Sequence, residues 1–206
     1  VNIPNEKGKK EDYYYITDTP GIISEVQMNS YEFHIWGSQA DDIDYPNILV
    51  FDIDPDEGMN VSRVREAAKD LKSILDKLSL QSFIKTSGGK GYHVLVPTKK
   101  LKEWPKFREF AKNIAELMEK TWPDKYVSNV RKEKRKGKIF IDWIRNTKGA
   151  TSVAPYSIRT KKKPTVSMPI RWSELDKVKP DGITMEEAIK RIKRKDPWEG
   201  FFELDQ

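Results

Sequence analysis

The period of hydrophobic and polar positions changes several times along the chain, and each change marks an element. Ile48–Asp54 (ILVFDID) opens as an apolar run and ends in charge, with Pro55-Asp56-Glu57-Gly58 as the turn that stops it. This predicts a buried strand with two carboxylates at its end. Val61, Val64, Ala67, Ala68, Leu71, Ile74, Leu75 and Leu78 then recur at three- and four-residue spacing, the pattern of a helix with one packing face. Ser82–Thr86 and Tyr92–Val96 read as strands joined by Ser87-Gly88-Gly89-Lys90-Gly91, which predicts a hairpin. A second helix is predicted from Pro105, a residue favoured in a first turn, with Phe107, Phe110, Ala111, Ile114, Leu117 and Met118 on one face. Lys138–Ile144 (KIFIDWI) alternates, with Ile139, Ile141 and Trp143 on one face and Phe140, Asp142 and Ile144 on the other, so a carboxylate is predicted in mid-strand. Thr184 and Glu187 form a capping-box pattern ahead of Ala188 and Ile192, and the aromatic tail from Pro197 is expected to fold back. Strands and helices mixed in this way, without an internal repeat, predict an α/β or α+β fold.

Length and composition narrow the picture. The 206 residues, 37% of them hydrophobic, suit one compact unit, residues 1–206. Lack of an apolar run near the roughly 20 residues that cross a bilayer, and of a secretory h-region in the first ten residues, predicts a soluble, cytoplasmic protein with no membrane partner. The absence of cysteine excludes disulfides, thiolate catalysis and zinc ribbons, and His34 and His93 are too few for a histidine-rich metal site. Any metal is then held by oxygen, which favours Mg²⁺ or Mn²⁺. The net charge is +6, with basic clusters at Arg131–Lys138 (RKEKRKGK), Arg159–Lys163 (RTKKK) and Lys190–Lys195 (KRIKRK), an electrostatic footprint for a polyanion in the C-terminal half.

Three carboxylates carry the candidate chemistry. Asp52 and Asp54 lie two apart on a strand, so their side chains share a face with Cα atoms roughly 6.5 Å apart. Their repulsion is relieved by a cation or by a proton on one of them, and a D-x-D pair alone fits a solvated strand end better than a metal site. Asp142, set in an apolar strand, tips the balance toward a two-metal centre for phosphoryl chemistry. Ser87-Gly88-Gly89-Lys90-Gly91, followed by His93, offers approachable backbone N–H groups, a hydroxyl and a lysine charge to a triphosphate; an ordinary hairpin turn is the plain alternative. The spacing is not that of a P-loop.

LVFDIDPDEG at Leu49–Gly58, KTSGGKGYHVLVP at Lys85–Pro97 and FIDWIRNTKGATSVAPYSIR at Phe140–Arg159 together resemble the polymerase domain of bacterial and archaeal DNA ligase D, a branch of the archaeo-eukaryotic primase superfamily. FHIWGS at Phe33–Ser38 and PTVSMPIRWSEL at Pro164–Leu175 add to the resemblance, which runs from about Tyr13 to the end. It implies an α+β primase-polymerase core: a mainly antiparallel sheet bears the acidic residues and helices flank it. Asp52, Asp54 and Asp142 fall on that family's metal-binding catalytic carboxylates, served by two divalent cations, Mn²⁺ or Mg²⁺. Ser87, Gly88, Lys90 and His93 fall on its nucleotide-pocket motif, Arg159 on an arginine that contacts the triphosphate, and His34 on a residue near the incoming nucleotide. Arg145 is a further candidate for phosphate contact, and equally a solvated arginine beyond a strand.

The implied activity is addition of nucleoside monophosphates, ribonucleotides preferentially, to primer 3′-hydroxyls at DNA gaps or ends in non-homologous end joining. The implied partners are DNA ends or primer-template, nucleoside triphosphates, a ligase module and a Ku-type end-binding protein. The same carboxylates suit a primase that starts chains de novo, and the basic surface alone suits a catalytically silent DNA-end-binding module. Family members carry several dozen residues ahead of the matched region that help bind a 5′-phosphate. A shortened standalone member and part of a longer polypeptide both fit, and 206 residues leave no room for a ligase or nuclease module.

Overall fold

The computed structural model describes residues 2–4, 8–100, 102–204 and 206. In chain order its elements are β1 (Asn2–Pro4), β2 (Lys10–Asp12), α1 (Thr19–Gln27), β3 (His34–Ile35), β4 (Ile48–Pro55), α2 (Val61–Lys77), β5 (Phe83–Thr86), β6 (Tyr92–Pro97), α3 (Trp104–Thr121), β7 (Tyr126–Val127), β8 (Ile139–Asp142), β9 (Ser152–Val153), β10 (Ile158–Arg159), β11 (Thr165–Val166), β12 (Pro169–Ile170) and α4 (Met185–Arg191). Six strands form the central sheet in the order β12-β5-β6-β4-β8-β7, antiparallel except at β7–β8. This is the α+β architecture the resemblance implies. Among the described residues no helix is long and apolar enough to cross a membrane.

Strand alternation gives the sheet two different faces. Leu49, Phe51, Ile53, Ile84, Val94, Val96, Ile139 and Ile141 point to one, where Val64, Ala68, Leu71 and Leu75 of α2 and Phe107, Ala111, Ile114 and Met118 of α3 complete the main core. Asn60 caps α2 by accepting from Ser62 N at 2.8 Å. The opposite face carries a small cluster of Val50, Phe83 and Leu95, closed by Trp198 and Phe201 of the folded-back tail. The tail stacks those two rings and ties the indole N–H of Trp198 to Ile84 O at 3.0 Å. The rest of this second face carries polar residues, and Ser167 closes over Lys85 there.

Several sequence expectations shift in detail. Phe110 and Leu117 are exposed, because the buried stripe of α3 runs through Trp104, Phe107, Ala111, Ile114, Ala115 and Met118 and leaves them at its margin. Thr184 does cap α4, but Glu187 turns to Arg191 at 3.0 Å instead of back to the cap, and Ile192 is exposed. The strand expected over Lys138–Ile144 stops at Asp142. The Asp142 carboxylate accepts from Ile144 N at 2.8 Å and ends the strand in a turn, so it stands at a strand end and not in mid-strand. Asn146 then takes over the pairing with β4: its buried amide accepts from Val50 N and donates to Val50 O, both at 2.8 Å.

The hairpin β5–β6 closes with Ser87 N donating to Gly91 O at 3.1 Å. A Cβ on Gly91 would stand 1.8 Å from Ile53 O of β4, so no other residue fits there without parting the two strands. Gly91→Ala is therefore expected to destabilise the domain by about 3 kcal/mol or more. Urea unfolding measures this, and a midpoint equal to that of the wild type contradicts the packing argument.

Candidate active site

The registers of three strand pairs set four polar residues in a single line across the sheet. Lys85 on β5 is opposite His93 on β6, His93 is opposite Asp52 on β4, and Asp52 is opposite Asp142 on β8. Directly opposed side chains in antiparallel strands share a face with Cβ atoms roughly 4.5–5.5 Å apart. Lys85, His93, Asp52 and Asp142 thus form one row on the face opposite α2 and α3, buried at Lys85 and His93, and Asp54 follows two residues along β4 toward the end of that strand. Of the five residues in or near the row, Lys85 was not evident from sequence. The signal was available, since the hairpin register puts it beside His93 and strand alternation puts it on the face of Ser87.

Burial distorts the charges in this row. Asp52 is pushed up to about 7, first by burial and then by the negative charge of Asp142, with Arg145 and Lys85 opposing. Asp142 is raised for the same first reason, against the hydrogen bond from Ile144 N and the charge of Arg145. Lys85 is wholly buried; burial brings it down to about 7 although Asp52 pulls it up. Its Nζ donates to Ser167 Oγ at 2.7 Å, and that hydroxyl passes its own proton to Thr86 O at 3.0 Å. His93 is held well below its usual range by burial and by the positive field of Lys85, so it is neutral at physiological pH. Its Nε2 lies 3.4 Å from Asp52 Oδ1, while its buried Nδ1 meets no partner among the described residues.

The three carboxylates share a face without converging. Among the described residues no three His, Asp or Glu side chains are gathered closely enough to form a metal-ligand set. Asp142 Oδ2 leans to Arg145 Nε at 3.3 Å, and Asp54 Oδ2 to Arg135 Nη1 at 3.6 Å, while the Arg135 guanidinium lies over the ring of Phe140. Arg145 is accordingly a partner of Asp142 and of Thr151 O at 3.4 Å.

The glycine loop is built differently from the amide cradle expected. Gly88 N donates to Pro180 O at 3.0 Å, and Gly89 N and Gly91 N donate to Ser87 Oγ at 3.0 and 3.3 Å. Those amides are engaged within the fold. The glycines answer instead to packing: Gly88 has φ +67°, and a Cβ on it would meet Arg159 Cγ at 2.5 Å. The β10–β11 hairpin grips the loop from above, with Arg159 Nη1 donating to Ser87 O at 2.9 Å and Thr165 Oγ1 donating to Gly88 O at 2.6 Å. Lys161 Nζ sits over Gly89, where an added Cβ would be 2.6 Å away. Lys90 is exposed, and its charge is felt at Asp56. The loop thus brings Ser87, Gly88 and Arg159 together and leaves Lys90 at the rim, with Lys161 as the cation set against the loop.

His34 reaches this group through Glu32. β3 pairs with β9, and Ser157 Oγ accepts from Phe33 N at 2.8 Å, which holds the 32–34 segment beside β10. Glu32 Oε1 lies 2.9 Å from His34 Nε2 and 3.0 Å from Arg159 Nε, while Oε2 accepts from Thr160 N at 2.9 Å. Neither Glu32 nor Lys161 was singled out from sequence, because their contacts join segments more than 120 residues apart or depend on the path of the 160–163 turn.

The surroundings match known proteins closely. Residues 1–198 fit the family model described as LigD, primase-polymerase domain. The chain is 34% identical over 187 residues to the multifunctional non-homologous end joining protein LigD of Pseudomonas aeruginosa, covering 89% of this chain and 22% of that protein. It is 36% identical over 146 residues to the corresponding LigD DNA repair protein of Mycobacterium tuberculosis, covering 71% of this chain and 19% of that one. The chain thus spans about a fifth of the length of these relatives. The fold also superposes, with a TM-score of 0.72 and 30% identity, on the solved polymerase domain of Mycobacterium tuberculosis ligase D in complex with DNA, covering 84% of this chain and 61% of that one. With almost its whole length fitting the family model and two sets of relatives agreeing, this chain belongs to the LigD primase-polymerase domain family.

Proposed function

We propose that this chain is the catalytic core of a DNA-directed nucleotidyltransferase. It adds nucleoside monophosphates, ribonucleotides preferentially, to the 3′-hydroxyl of a primer strand at DNA gaps or ends during non-homologous end joining. The observation that carries the reading is the line Lys85–His93–Asp52–Asp142 on one face of the sheet, with Arg159 and the 87–91 loop beside it. Relatives named for end joining, and a solved relative in complex with DNA, supply the biological setting.

Asp52, Asp142 and Asp54 are the residues to hold two divalent cations, Mn²⁺ or Mg²⁺. They fit that group: the donors are all oxygen, two strands present them to one face, and the negative charge of Asp142 adds to burial in holding Asp52 up at about 7. Such cations, when bound, neutralise a triphosphate and the charge that grows on departing pyrophosphate. The protein's own part is positioning. Arg159 and Lys161 meet the phosphates, with His34, Ser87 and neutral His93 lining the same pocket and Lys90 at its rim. Lys85 lies under the row beside His93, and the basic segments at 131–138 and 190–195 are available to DNA phosphates. A ligase module and a Ku-type end-binding protein are the partners this role calls for.

The test is extension of a primer at a gap, with ribonucleotides or deoxyribonucleotides, with and without a 5′-phosphate across the gap, beside an unprimed template. Faster ribonucleotide addition to the primer is expected. Product on the unprimed template would make the protein a starting primase, and salt-sensitive DNA binding without incorporation would make it a binding module.

A further inference from the structure

Glu32 stands where an anion would be expected. Its two oxygens gather His34 Nε2, Arg159 Nε, Thr160 N and Thr160 Oγ1, all within 3.2 Å. Burial raises this carboxyl, but the contacts with His34 and Thr160 and the charge of Arg159 outweigh it and hold it at about 2, so it is ionised throughout the working pH range. The side chain is 23% exposed, outside the sheet core.

The arrangement around Arg159 decides what this carboxylate does. Ser87 O takes Nη1 at 2.9 Å, and Glu32 flanks Nε from another side. The hydrogen bond at Nη1 fixes one end of the guanidinium, and the ion pair with Glu32, which is not a hydrogen bond from Nε, draws the other end toward the 32–34 segment. At His34 the same ionised carboxylate lies 2.9 Å from Nε2 and, as an acceptor, favours the proton on that nitrogen. One charged side chain thereby fixes the direction of two others that lie 125 residues apart in sequence.

We infer that Glu32 is a positioning residue of the triphosphate pocket, which orients Arg159 and His34 toward the phosphates of the incoming nucleotide. This rests on the proposed function, in which that pocket takes a nucleoside triphosphate. Glu32 itself touches no phosphate. Its negative charge is matched locally by Arg159, and what it supplies is preorganisation, whose loss from a supporting shell weakens binding by about 10–100-fold.

Equilibrium binding of a fluorescent ATP, followed by anisotropy without DNA, tests this in the wild type, Glu32→Gln, Arg159→Ala and the double variant, with Glu32→Ala as a second truncation. Thermal unfolding of each confirms that the fold is retained. Glu32→Gln, which keeps the volume and loses the charge, is expected to weaken ATP by about tenfold or more. In an Arg159→Ala background the same change should weaken it far less, since the group it orients is gone. In primer extension the loss should fall mainly on the KM for nucleotide. Wild-type affinity in Glu32→Gln, tighter binding (a carboxylate that competes with phosphate), or a loss fully additive with Arg159→Ala would overturn the inference. A wild type that binds no ATP, or whose affinity ignores Arg159→Ala, would instead sink the nucleotide-pocket reading itself.

Discussion

Asp142→Asn is expected to lower nucleotide incorporation by about a thousandfold or more while the domain stays folded. The size follows from what the carboxylate does. A charge aimed at the metals of a phosphoryl-transfer site acts most strongly as charge develops in the transition state, and loss of one such preorganised group costs on the order of 10²–10³ in rate, more when a cation is lost with it. The retention of fold follows from what the carboxylate is bonded to. Asp142 Oδ1 accepts from Ile144 N in the turn that ends β8, and an asparagine oxygen accepts the same bond. Single-turnover primer extension alongside circular dichroism separates the two effects. An active Asp142→Asn would remove Asp142 from the chemistry.

The second large effect is on stability, and its sign is opposite. In the metal-free protein Asp52 holds its proton up to about 7, whereas in the unfolded chain a carboxyl releases it near 4. As far as this group is concerned stability is greatest below pH 4 and declines as pH rises through 7. Lys85 runs the other way: its folded form gives up a proton near 7 and its unfolded form near 10.5, so its contribution is fully present above 10.5 and is lost as pH falls toward 7. The two place a minimum of metal-free stability near neutrality. Asp52→Asn removes the first term and is expected to raise metal-free stability at pH 7.5 by on the order of 2–4 kcal/mol, although it abolishes activity.

A divalent cation makes the reverse trade. Ligands must be deprotonated to bind it, so Mn²⁺ should stabilise the wild type more at pH 8 than at pH 5.5. At a hundred times its dissociation constant it contributes about 2.7 kcal/mol, a rise of roughly 5–10 °C in melting temperature for a domain of this size. Asp52→Asn should show little of that rise. Melting curves in Mn²⁺ and in EDTA at the two pH values provide the measurement, and an equal Mn²⁺ response in both proteins would detach the metal from Asp52.

What could be read from the chain alone divides along physical lines. The strands and helices at 48–55, 61–77, 83–97 and 104–121 announce themselves because each has a clear period and a turn signal at its end. The pairing of Asp52 with Asp142 was not legible. It depends on β8 crossing to the edge of β4 after a long basic segment, and only the register sets the two carboxylates opposite each other. Lys85 was overlooked because lysine on a strand ordinarily faces water, and nothing in the local pattern says that Ser167, 82 residues on, closes over it. The glycine loop shows the converse. Its composition suits an anion cradle, yet the amides of Gly88, Gly89 and Gly91 are bonded inside the fold, and Gly91 is required by the nearness of Ile53 O. Glu32 is the residue the three-dimensional arrangement adds most plainly, since its partners come from two ends of the chain.

The most direct measurement of the central claim is primer extension on a gapped DNA by the chain as it stands, first in EDTA, then with Mn²⁺ restored, beside Asp52→Asn in the same buffers. The account predicts no incorporation in EDTA, recovery with Mn²⁺ in the wild type, and none in the variant. Incorporation that proceeds in EDTA, or that Asp52→Asn retains in Mn²⁺, would contradict it.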